Sequence, residues 1–319
     1  MERDRVALSI ILVSYNTREM ILDCLRSVYE QTHKTQYEII VVDNNSSDGS
    51  ADAIRSEFSD IRLISLGENI GFGRANNVAA REGRGRRLLL LNPDTLMLDQ
   101  AIDRLVAFAD ATPRCRVWGG RTLFADGTLN PGSCWRRMGL WSLCCSLFGL
   151  SHLAPNSRIL NPEGYGGWRR DTIRSVDIVS GCFFMIDRDL WDVLGGFDPT
   201  FFLYGEEADL CLRALRAGAR PAITPNATII HYGGASSPSS IERRIALLKG
   251  KCTLIVRHWA PIRRAIGRTL FLAAPLIRWA LYRIAARLSG RSQFGRMADE
   301  WALIWQRRSE WIGGYETAK

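Results

Sequence analysis

The sequence predicts an α/β fold with a mainly parallel central sheet and helices on both faces. Short apolar runs bounded by polar turns alternate with segments of helical length and pattern along the N-terminal part of the chain. Strands and helices that alternate at this spacing are typical of βαβ units. The predicted strands span 6–13, 38–42, 61–66 and 87–91, and the predicted helices span 18–31, 49–58 and 73–83.

The composition is that of a globular protein. A chain of 319 residues can hold one large domain, or one domain with an appendage, and 46% hydrophobic residues suffice for a core. The eight cysteines form no CxxC pair and no Cys/His ligand spacing, which indicates buried, reduced thiols in a reducing compartment. The apolar run at 6–13 is short and interrupted by Ser9, which favours a first strand over a signal peptide.

The net charge of +9 is unevenly distributed along the chain. From Ser236 onward, 16 Lys and Arg face 5 Asp and Glu, a balance of +11 that leaves −2 for residues 1–235. A uniformly basic nucleic-acid-binding protein would not divide in this way, so we expect no nucleic-acid partner. The division predicts an α/β domain at 1–235 and a basic helical tail at 236–319.

Polar residues and glycines follow each predicted strand at the point where the strand ends. Asn, Asp, Ser and Gly are ordinary turn formers, which explains any one of these positions alone. The carboxyl ends of parallel strands, however, meet at one edge of a sheet, where ligands bind. We therefore expect a nucleotide-binding rim made of Ser14, Tyr15, Asn16, Asp43, Asn69, Gly71, Arg74, Asn76, Asn92 and Asp94.

Several of these residue types have a chemical task at such a rim. Asp43 can accept hydrogen bonds from a pyrimidine N–H or from ribose hydroxyls. The turn at Gly71 and Gly73 lets backbone amides approach a pyrophosphate at a helix start, where Arg74 adds positive charge. The carboxylate of Asp94 can hold a hard divalent cation that bridges two phosphates.

Three acids, Glu206, Glu207 and Asp209, fall within four positions, after the aromatic residues Phe201 and Tyr204 and at the start of a helical pattern. Acids in a first turn offset the positive end of the helix macrodipole. A carboxylate at a helix start, beside an aromatic wall and partly shielded from water, can also act as a base. The acids alone leave both explanations open, and the rest of the chain favours the second.

Five segments stand in a characteristic order, namely SIILVSYN, VVDNNSSDGS, ENIGFGRANN, LLLLNPDT and YGEEADLCLR. In order and spacing they closely resemble the inverting glycosyltransferases of family 2, and within them the bacterial rhamnosyltransferase-like branch. The resemblance covers roughly residues 6–235. It implies a GT-A fold, which is Rossmann-like, a nucleotide-diphosphate sugar donor, and Mg²⁺ or Mn²⁺ as cofactor.

The resemblance also implies roles for single residues. Asp43 matches the nucleoside-contacting aspartate of the family, and Asn92-Pro93-Asp94 matches its DxD motif, with Asn92 in place of the first acid. Asp94 is then the main metal carboxylate. His231, at the end of a later predicted strand, is similar to the family's HxxG-type ending and is expected to be a further metal ligand or a diphosphate contact.

The catalytic base falls on Glu207 by the same resemblance, although the family commonly has Glu-Asp where this chain has Glu206-Glu207. Glutamate reaches one methylene further than aspartate, so Glu206 and Asp209 stay open as alternative bases. In the family, the region before the acidic helix contacts the donor sugar and the acceptor. Weaker candidates there are Asp177, Ser180 and Gly181.

Two further segments carry interpretations that stay open. The apolar stretch 138–150 predicts a helix that is buried, or else a flap on the acceptor side or a surface for a lipid-linked acceptor. The stretch 264–288 mixes large apolar residues with arginines and contains Pro275, which is expected to kink a helix. It fits an amphipathic helix lying on an anionic membrane. A helical cap on the catalytic domain, or a subunit interface in an oligomer, explains it equally well.

The function predicted from these observations is metal-assisted transfer of a sugar with inversion at its anomeric carbon. One candidate sugar is rhamnose, with dTDP-rhamnose as the donor. The acceptor is expected to be lipid-linked or a polysaccharide, on the cytoplasmic face of the inner membrane, with the enzyme bound peripherally. One rival is a sugar nucleotidyltransferase, which would normally show a Gly-rich, basic loop where this chain has Ser14-Tyr15-Asn16-Thr17. The other is a non-catalytic protein that binds membrane or nucleic acid.

Overall fold

A computed structural model describes residues 6–233 and 240–315 of the chain. These residues form two compact units. The sheet unit comprises 6–135, 169–202 and 206–233, and the helical unit comprises 136–168, 203–205 and 240–315. The predicted boundary at 235/236 lies outside the described residues, and the two-domain division at that position stays a prediction.

The sheet unit is built on one large mixed sheet. Ten strands belong to it, and two short strands, β8 (Cys134–Trp135) and β10 (Ile178–Val179), pair separately. The strands of the large sheet are β1 (Leu8–Ser14), β2 (Tyr37–Asp43), β3 (Arg62–Ser65), β4 (Arg87–Leu91), β5 (Thr95–Met97), β6 (Val117–Leu123), β7 (Leu129–Asn130), β9 (Arg174–Ser175), β11 (Phe183–Asp187) and β12 (Ala222–His231).

The strand order is β3-β2-β1-β4-β11-β6-β12-β5, with β7 beside β6 and β9 beside β12. The first four strands are parallel, as the alternating pattern predicts, and β6 and β12 are parallel to each other. Strand β11 runs antiparallel to both of its neighbours, β4 and β6. Because β11 is reversed, its first residues lie at the edge where the parallel strands end.

The helices of the sheet unit connect these strands. They are α1 (Arg18–Gln31), α2 (Ser50–Glu57), α3 (Phe72–Glu82), α4 (Ala101–Ala111), α7 (Arg188–Leu194) and α8 (Glu206–Arg216). Strand β4 and helix α1 have their predicted bounds, and the other predicted strands and helices of the N-terminal part begin and end within two residues of them.

Helices cover both faces of the sheet, as predicted. Leu8, Ile10 and Leu12 of β1 share one core with α1 and α4. Ser9 points to the opposite face, because side chains alternate along a strand, and its hydroxyl accepts from the Gly85 amide just beyond α3. The α/β fold class is therefore confirmed. All eight cysteines are free thiols, and six of them are buried.

The helical unit packs around its own apolar core. Its helices are α5 (Leu140–Leu147), α6 (Leu150–Leu153), α9 (Ser240–His258), α10 (Pro261–Ser289) and α11 (Ser292–Gln306). The core includes Leu143, Ile255, Phe271, Ile304 and Trp311.

The helical unit contains the two stretches, 138–150 and 264–288, for which the sequence leaves alternatives open. The stretch 138–150 contains the short helix α5 and ends at the first residue of α6, with Leu143 buried and Trp141 exposed. Helix α10 continues through Pro275. Among the described residues, α10 is also the one helix whose length and apolar composition would suffice to cross a bilayer.

Candidate active site

Asp94 and His231 lie together at the edge where the parallel strands end. Antiparallel pairing of β12 with β5 sets His231 opposite Thr95, and the Tyr232 amide donates to the Asp94 carbonyl. The carboxylate Oδ1 of Asp94 is consequently 3.3 Å from Nε2 of His231. Burial alone would lower the pKa of His231, but Cys182 and the hydrogen bond with Asp94 raise it to about 11.

The Asp94 carboxylate is a suitable oxygen ligand for a hard divalent cation, and His231 can join it only after losing the proton that it shares with Asp94. Two ligands at about 2.1 Å from Mg²⁺ and at right angles to each other are about 3 Å apart, close to the observed separation of Asp94 and His231. Within 6–233 and 240–315, no three His, Cys, Asp or Glu side chains are grouped as metal ligands. A cation here would take its other ligands from water and from phosphate oxygens, which is usual for Mg²⁺.

Asp43, at the end of β2, has a buried carboxylate oxygen with nothing to bind. Its side chain is 4% exposed, and Oδ2 accepts from the Ser46 amide, but Oδ1 has no hydrogen-bond partner among the described residues. Buried polar atoms are nearly always paired, so an unpaired one indicates a missing donor. An N–H or O–H group of a ligand would supply it.

The turn before α3 is held by its own side chains. Asn69 Oδ1 accepts from the Gly71 amide and from Asn44 Nδ2, and Asn44 Oδ1 accepts from the Ile70 amide. Gly71 has φ +87°, and a Cβ there would lie 2.5 Å from the Phe202 carbonyl oxygen. Only glycine fits at position 71, and the Gly71 amide already donates to Asn69 Oδ1. A contact between this turn and a diphosphate stays a prediction.

Other predicted donor-binding residues make internal contacts. The Ser14 hydroxyl is buried and 3.1 Å from that of Thr17, Asn16 Oδ1 accepts from the Ser47 amide, and Asn76 Nδ2 donates to the Phe72 carbonyl. The side chains of Ser14, Asn16 and Asn76 thus contact other residues of the protein. Tyr15 is exposed, as is Arg74, whose Nε donates to the Pro199 carbonyl. Donor contacts of all five residues stay predictions.

The turn after β4 is tied to the start of β11. The Asn92 amide donates to the Cys182 carbonyl, and the Asn92 carbonyl accepts from the Thr95 hydroxyl. Residues 180–182 therefore lie beside the turn that carries Asp94. The Asn92 side chain is half-buried.

The three acids of α8 have different environments. Asp209 is buried and accepts from Arg213 Nε at 2.7 Å, while Arg213 also donates to the Leu194 and Gly196 carbonyls. This ion pair holds the helix to the preceding loop, so Asp209 is engaged in structure. Glu206 is buried, with its Cβ 3.6 Å from where a Gly73 side chain would begin.

Glu207 is the half-buried acid of the three. Its Cβ lies 3.8 Å from where a Gly181 side chain would begin, and the Phe72 ring is 3.6 Å from the same point. Gly181 precedes Cys182, which binds the Asn92 turn. Glu207 therefore borders the same strand-end region as Asp94. Of the weaker candidates, Gly181 and Ser180 lie in this region, and Asp177 directly precedes β10.

Sequence reasoning missed two contributors to this region. Cys182 interacts with His231, and Asn44 organises the turn at Asn69. Asn44 stands inside the VVDNNSSDGS segment, so its position was a usable signal. No spacing in the sequence connects Cys182 with His231, because they lie beside β11 and at the end of β12, which are separated in the sheet by β6.

The chain belongs to glycosyl transferase family 2, whose model matches residues 9–194. It is accordingly a glycosyltransferase, and the nucleotidyltransferase and non-catalytic rivals are set aside.

Two relatives give the range of similarity. The O-antigen biosynthesis protein RfbC of Myxococcus xanthus is 29% identical over 230 residues, which cover 71% of this chain but 17% of RfbC. The N-acetylglucosaminyl-diphospho-decaprenol L-rhamnosyltransferase of Mycobacterium tuberculosis is 26% identical over 292 residues, covering 85% of this chain and 92% of that protein.

Solved structures share the fold. The mannosyltransferase PcManGT from Pyrobaculum calidifontis, in complex with GDP-Man and Mn²⁺, has a TM-score of 0.59 at 18% identity, covering 95% of this chain and 88% of that one. GalNAc-T7 with UDP, GalNAc and Mn²⁺ has a TM-score of 0.56 at 15% identity, covering 82% and 49%. At these identities the likeness concerns the GT-A fold alone.

We predict that Asp43→Asn weakens nucleoside-diphosphate binding at least about tenfold, since a hydrogen bond to a charged group contributes about 1.5–3 kcal/mol. The melting temperature should stay level or rise, because the change removes a buried, half-satisfied charge. Calorimetric titration and thermal melting would measure both.

The matched control is Asp103→Asn. The buried Asp103 carboxylate accepts from the His33, Lys34 and Thr35 amides. Despite burial, these hydrogen bonds hold the pKa of Asp103 below its usual value. This variant should melt earlier and bind nucleotide normally. Equal binding by Asp43→Asn and wild type would contradict the assignment.

Proposed function

We propose that this glycosyltransferase inverts the anomeric centre of a nucleotide-diphosphate sugar in one metal-assisted displacement. The observation that carries the proposal is the register of three parallel strands. Ser14 of β1 lies opposite Asp43 of β2, and Leu12 of β1 lies opposite Leu91 of β4. Asp43 and the 92–94 turn are therefore about two strand spacings, or about 10 Å, apart. A nucleoside at Asp43 would direct its diphosphate toward Asp94.

Each end of such a donor meets suitable chemistry. Asp43 Oδ1 would accept a hydrogen bond from the base or the ribose. Asp94 and His231 would hold Mg²⁺ or Mn²⁺ beside the diphosphate. A divalent cation bound there supplies positive charge that stabilises the leaving diphosphate.

Glu207 is the proposed base. In the displacement, the acceptor oxygen bonds to the anomeric carbon while the bond from that carbon to the diphosphate oxygen breaks. Oxocarbenium character develops in the transition state, as in glycoside hydrolysis. The hydroxyl proton passes to the Glu207 carboxylate. Three observations favour Glu207, namely its partial exposure, its position beside Gly181 and the engagement of Asp209 by Arg213.

We further propose rhamnose, carried by dTDP, as the donor sugar and a lipid-linked or polysaccharide glycan as the acceptor. Support comes from the mycobacterial relative, whose name states rhamnosyl transfer to a decaprenol-linked sugar and which this chain matches over 92% of its length. RfbC, by its name a protein of O-antigen biosynthesis, supports an acceptor of the cell envelope.

Helix α10 supports peripheral binding to an anionic membrane on the cytoplasmic side. Ile262, Ile266, Leu276, Ile284 and Leu288 are exposed and recur at helical spacing along one side of the helix. The helix has no acid, and five of its six arginines are exposed or half-buried, while Arg278 is buried. An exposed apolar stripe flanked by cations fits an interface between acyl chains and anionic headgroups. Free, mostly buried thiols agree with a reducing compartment.

The base assignment predicts that Glu207→Gln lowers kcat by about 10²- to 10⁴-fold, which is the usual contribution of a general base. Nucleotide affinity should change little, because the substitution keeps the shape. Transfer would be followed by release of nucleoside diphosphate from a panel of nucleotide sugars that includes dTDP-rhamnose.

Glu19→Gln is the matched control, because Glu19 is the second residue of α1 as Glu207 is of α8. If acids at helix starts matter only for the macrodipole, the two variants will behave alike. Wild-type turnover by Glu207→Gln would refute the assignment.

For the metal site, we predict that Asp94→Asn removes the gain in nucleoside-diphosphate affinity that Mn²⁺ gives the wild type, because one anionic ligand is lost. Asp99→Asn, at an exposed acid beyond β5, should keep that gain. Binding would be titrated with and without Mn²⁺. An unchanged Mn²⁺ effect in Asp94→Asn would place the cation elsewhere.

For the membrane surface, we predict that the double variant Ile284→Glu, Leu288→Glu partitions at least about tenfold less onto vesicles, since each of the two new charges near an anionic surface changes binding by about 1 kcal/mol. The vesicles would contain phosphatidylglycerol and phosphatidylethanolamine, with phosphatidylcholine alone as the neutral comparison. Val193→Glu is the control, because Val193 is as exposed in the sheet unit (80%) as Leu288 is here (84%). Equal partitioning of the wild type, the double variant and Val193→Glu would contradict the proposal.

A further inference from the structure

Residues 203–205 belong to the helical unit, although the residues on either side of them belong to the sheet unit. Gly205 is bonded directly to Glu206, the first residue of α8. Glu207, the proposed base, is therefore two residues beyond a short segment that the helical unit holds. We call residues 203–205 the tether.

One tyrosine hydroxyl binds both backbone groups of the first tether residue. Tyr315 Oη donates to the Leu203 carbonyl at 2.5 Å and accepts from the Leu203 amide at 3.2 Å. Tyr315 is itself fixed by α9. Its amide donates to Thr253 Oγ1 at 2.8 Å, and Lys249 Nζ lies 4.8 Å from its ring centre.

The second tether residue packs against the backbone of α9. A Cβ at Gly250 would lie 2.3 Å from the Tyr204 carbonyl oxygen and 3.0 Å from its carbon. Contacts this short do not occur, so α9 needs glycine where the tether passes. Helix α9 places that glycine one residue after Lys249.

The tether has a backbone conformation that requires support. Tyr204 has φ +68° and Gly205 has φ +102°. A non-glycine residue in the left-handed region costs roughly 1 kcal/mol or more, and it persists where surrounding contacts hold it. The Tyr315 hydroxyl and the Gly250 backbone are such contacts.

We propose that Tyr315 and Gly250 are positioning residues for catalysis, which hold the tether so that the first turn of α8 presents Glu207 to the acceptor hydroxyl. The proposal rests on the proposed role of Glu207 as base. Proton transfer requires the base within hydrogen-bond reach, and small displacements of a reacting group cost large factors in rate. A loosened tether therefore lowers kcat, whereas the groups assigned to nucleotide binding, Asp43 and Asp94, lie at the ends of β2 and β4 and are not part of the tether.

Tyr315→Phe tests this proposal directly. The variant keeps the ring and its contact with Lys249 but loses both hydrogen bonds to Leu203. We expect kcat to fall at least about tenfold, with the Kd for nucleoside diphosphate and the donor KM within about twofold of wild type. A purely structural role would instead lower the melting temperature and weaken nucleotide binding together.

Tyr29→Phe is the matched control. Tyr29 also donates its hydroxyl proton to an oxygen, Oδ1 of Asp60 at 2.7 Å, from helix α1 in the sheet unit. Its loss should leave kcat unchanged. Hydrogen exchange at residues 203–207 should be faster in Tyr315→Phe and unchanged in Tyr29→Phe.

Gly250→Ala provides an independent variant, because its methyl group would displace the Tyr204 carbonyl. The same loss of kcat is expected. Gly295→Ala is its control, since Gly295 lies in α11 with nothing near its missing Cβ. That variant should keep full activity.

The outcomes separate this inference from the proposed function. Wild-type kcat in Tyr315→Phe, with Glu207→Gln inactive, would overturn the positioning role alone. Full activity in Glu207→Gln would overturn the base assignment and with it this inference. A fall in kcat for Tyr315→Phe and Gly250→Ala, with intact nucleotide binding and normal controls, would support the proposal.

Discussion

The hydrogen-bond register of the parallel strands β2, β1 and β4 is the constraint on which the active site depends. With Ser14 opposite Asp43 and Leu12 opposite Leu91, the polar turns that follow these strands meet at one edge. A slip of one residue would turn every side chain of a strand to the other face of the sheet. The buried aliphatic residues of β1 prevent such a slip, because it would move Leu8, Ile10 and Leu12 out of the core they share with α1 and α4.

Pairing separates the buried carboxylates that build the fold from those available to a ligand. Asp209 is bound by Arg213, and Asp103 is surrounded by backbone amides. Asp43 has one oxygen without a hydrogen-bond partner among the described residues, and Asp94 is 3.3 Å from His231, with which it forms an ion pair. Leaving a buried polar atom unpaired costs stability, and a ligand that donates a hydrogen bond to Asp43 Oδ1 would remove that cost.

The helical unit has two separate features, the surface of α10 and the contacts with the tether. Composition alone does not distinguish them. Exposed apolar side chains and arginines both occur along α10. The contacts with the tether, through Tyr315 and Gly250, come from α9 and the residues after α11. The exposed side of α10 and the contacts with the tether therefore involve different residues of the helical unit.

Local sequence patterns specify the early strands and helices and indicate the family. Apolar periodicity and turn residues placed the early strands and helices within two residues, because both signals act over short stretches, and five ordered motifs indicated glycosyltransferase family 2. The sequence could not decide among Glu206, Glu207 and Asp209, and it did not show that Cys182 meets His231 or that Tyr315 reaches Leu203. Those contacts join residues far apart in the chain. They follow from strand pairing and helix packing across the whole fold, which no local pattern encodes.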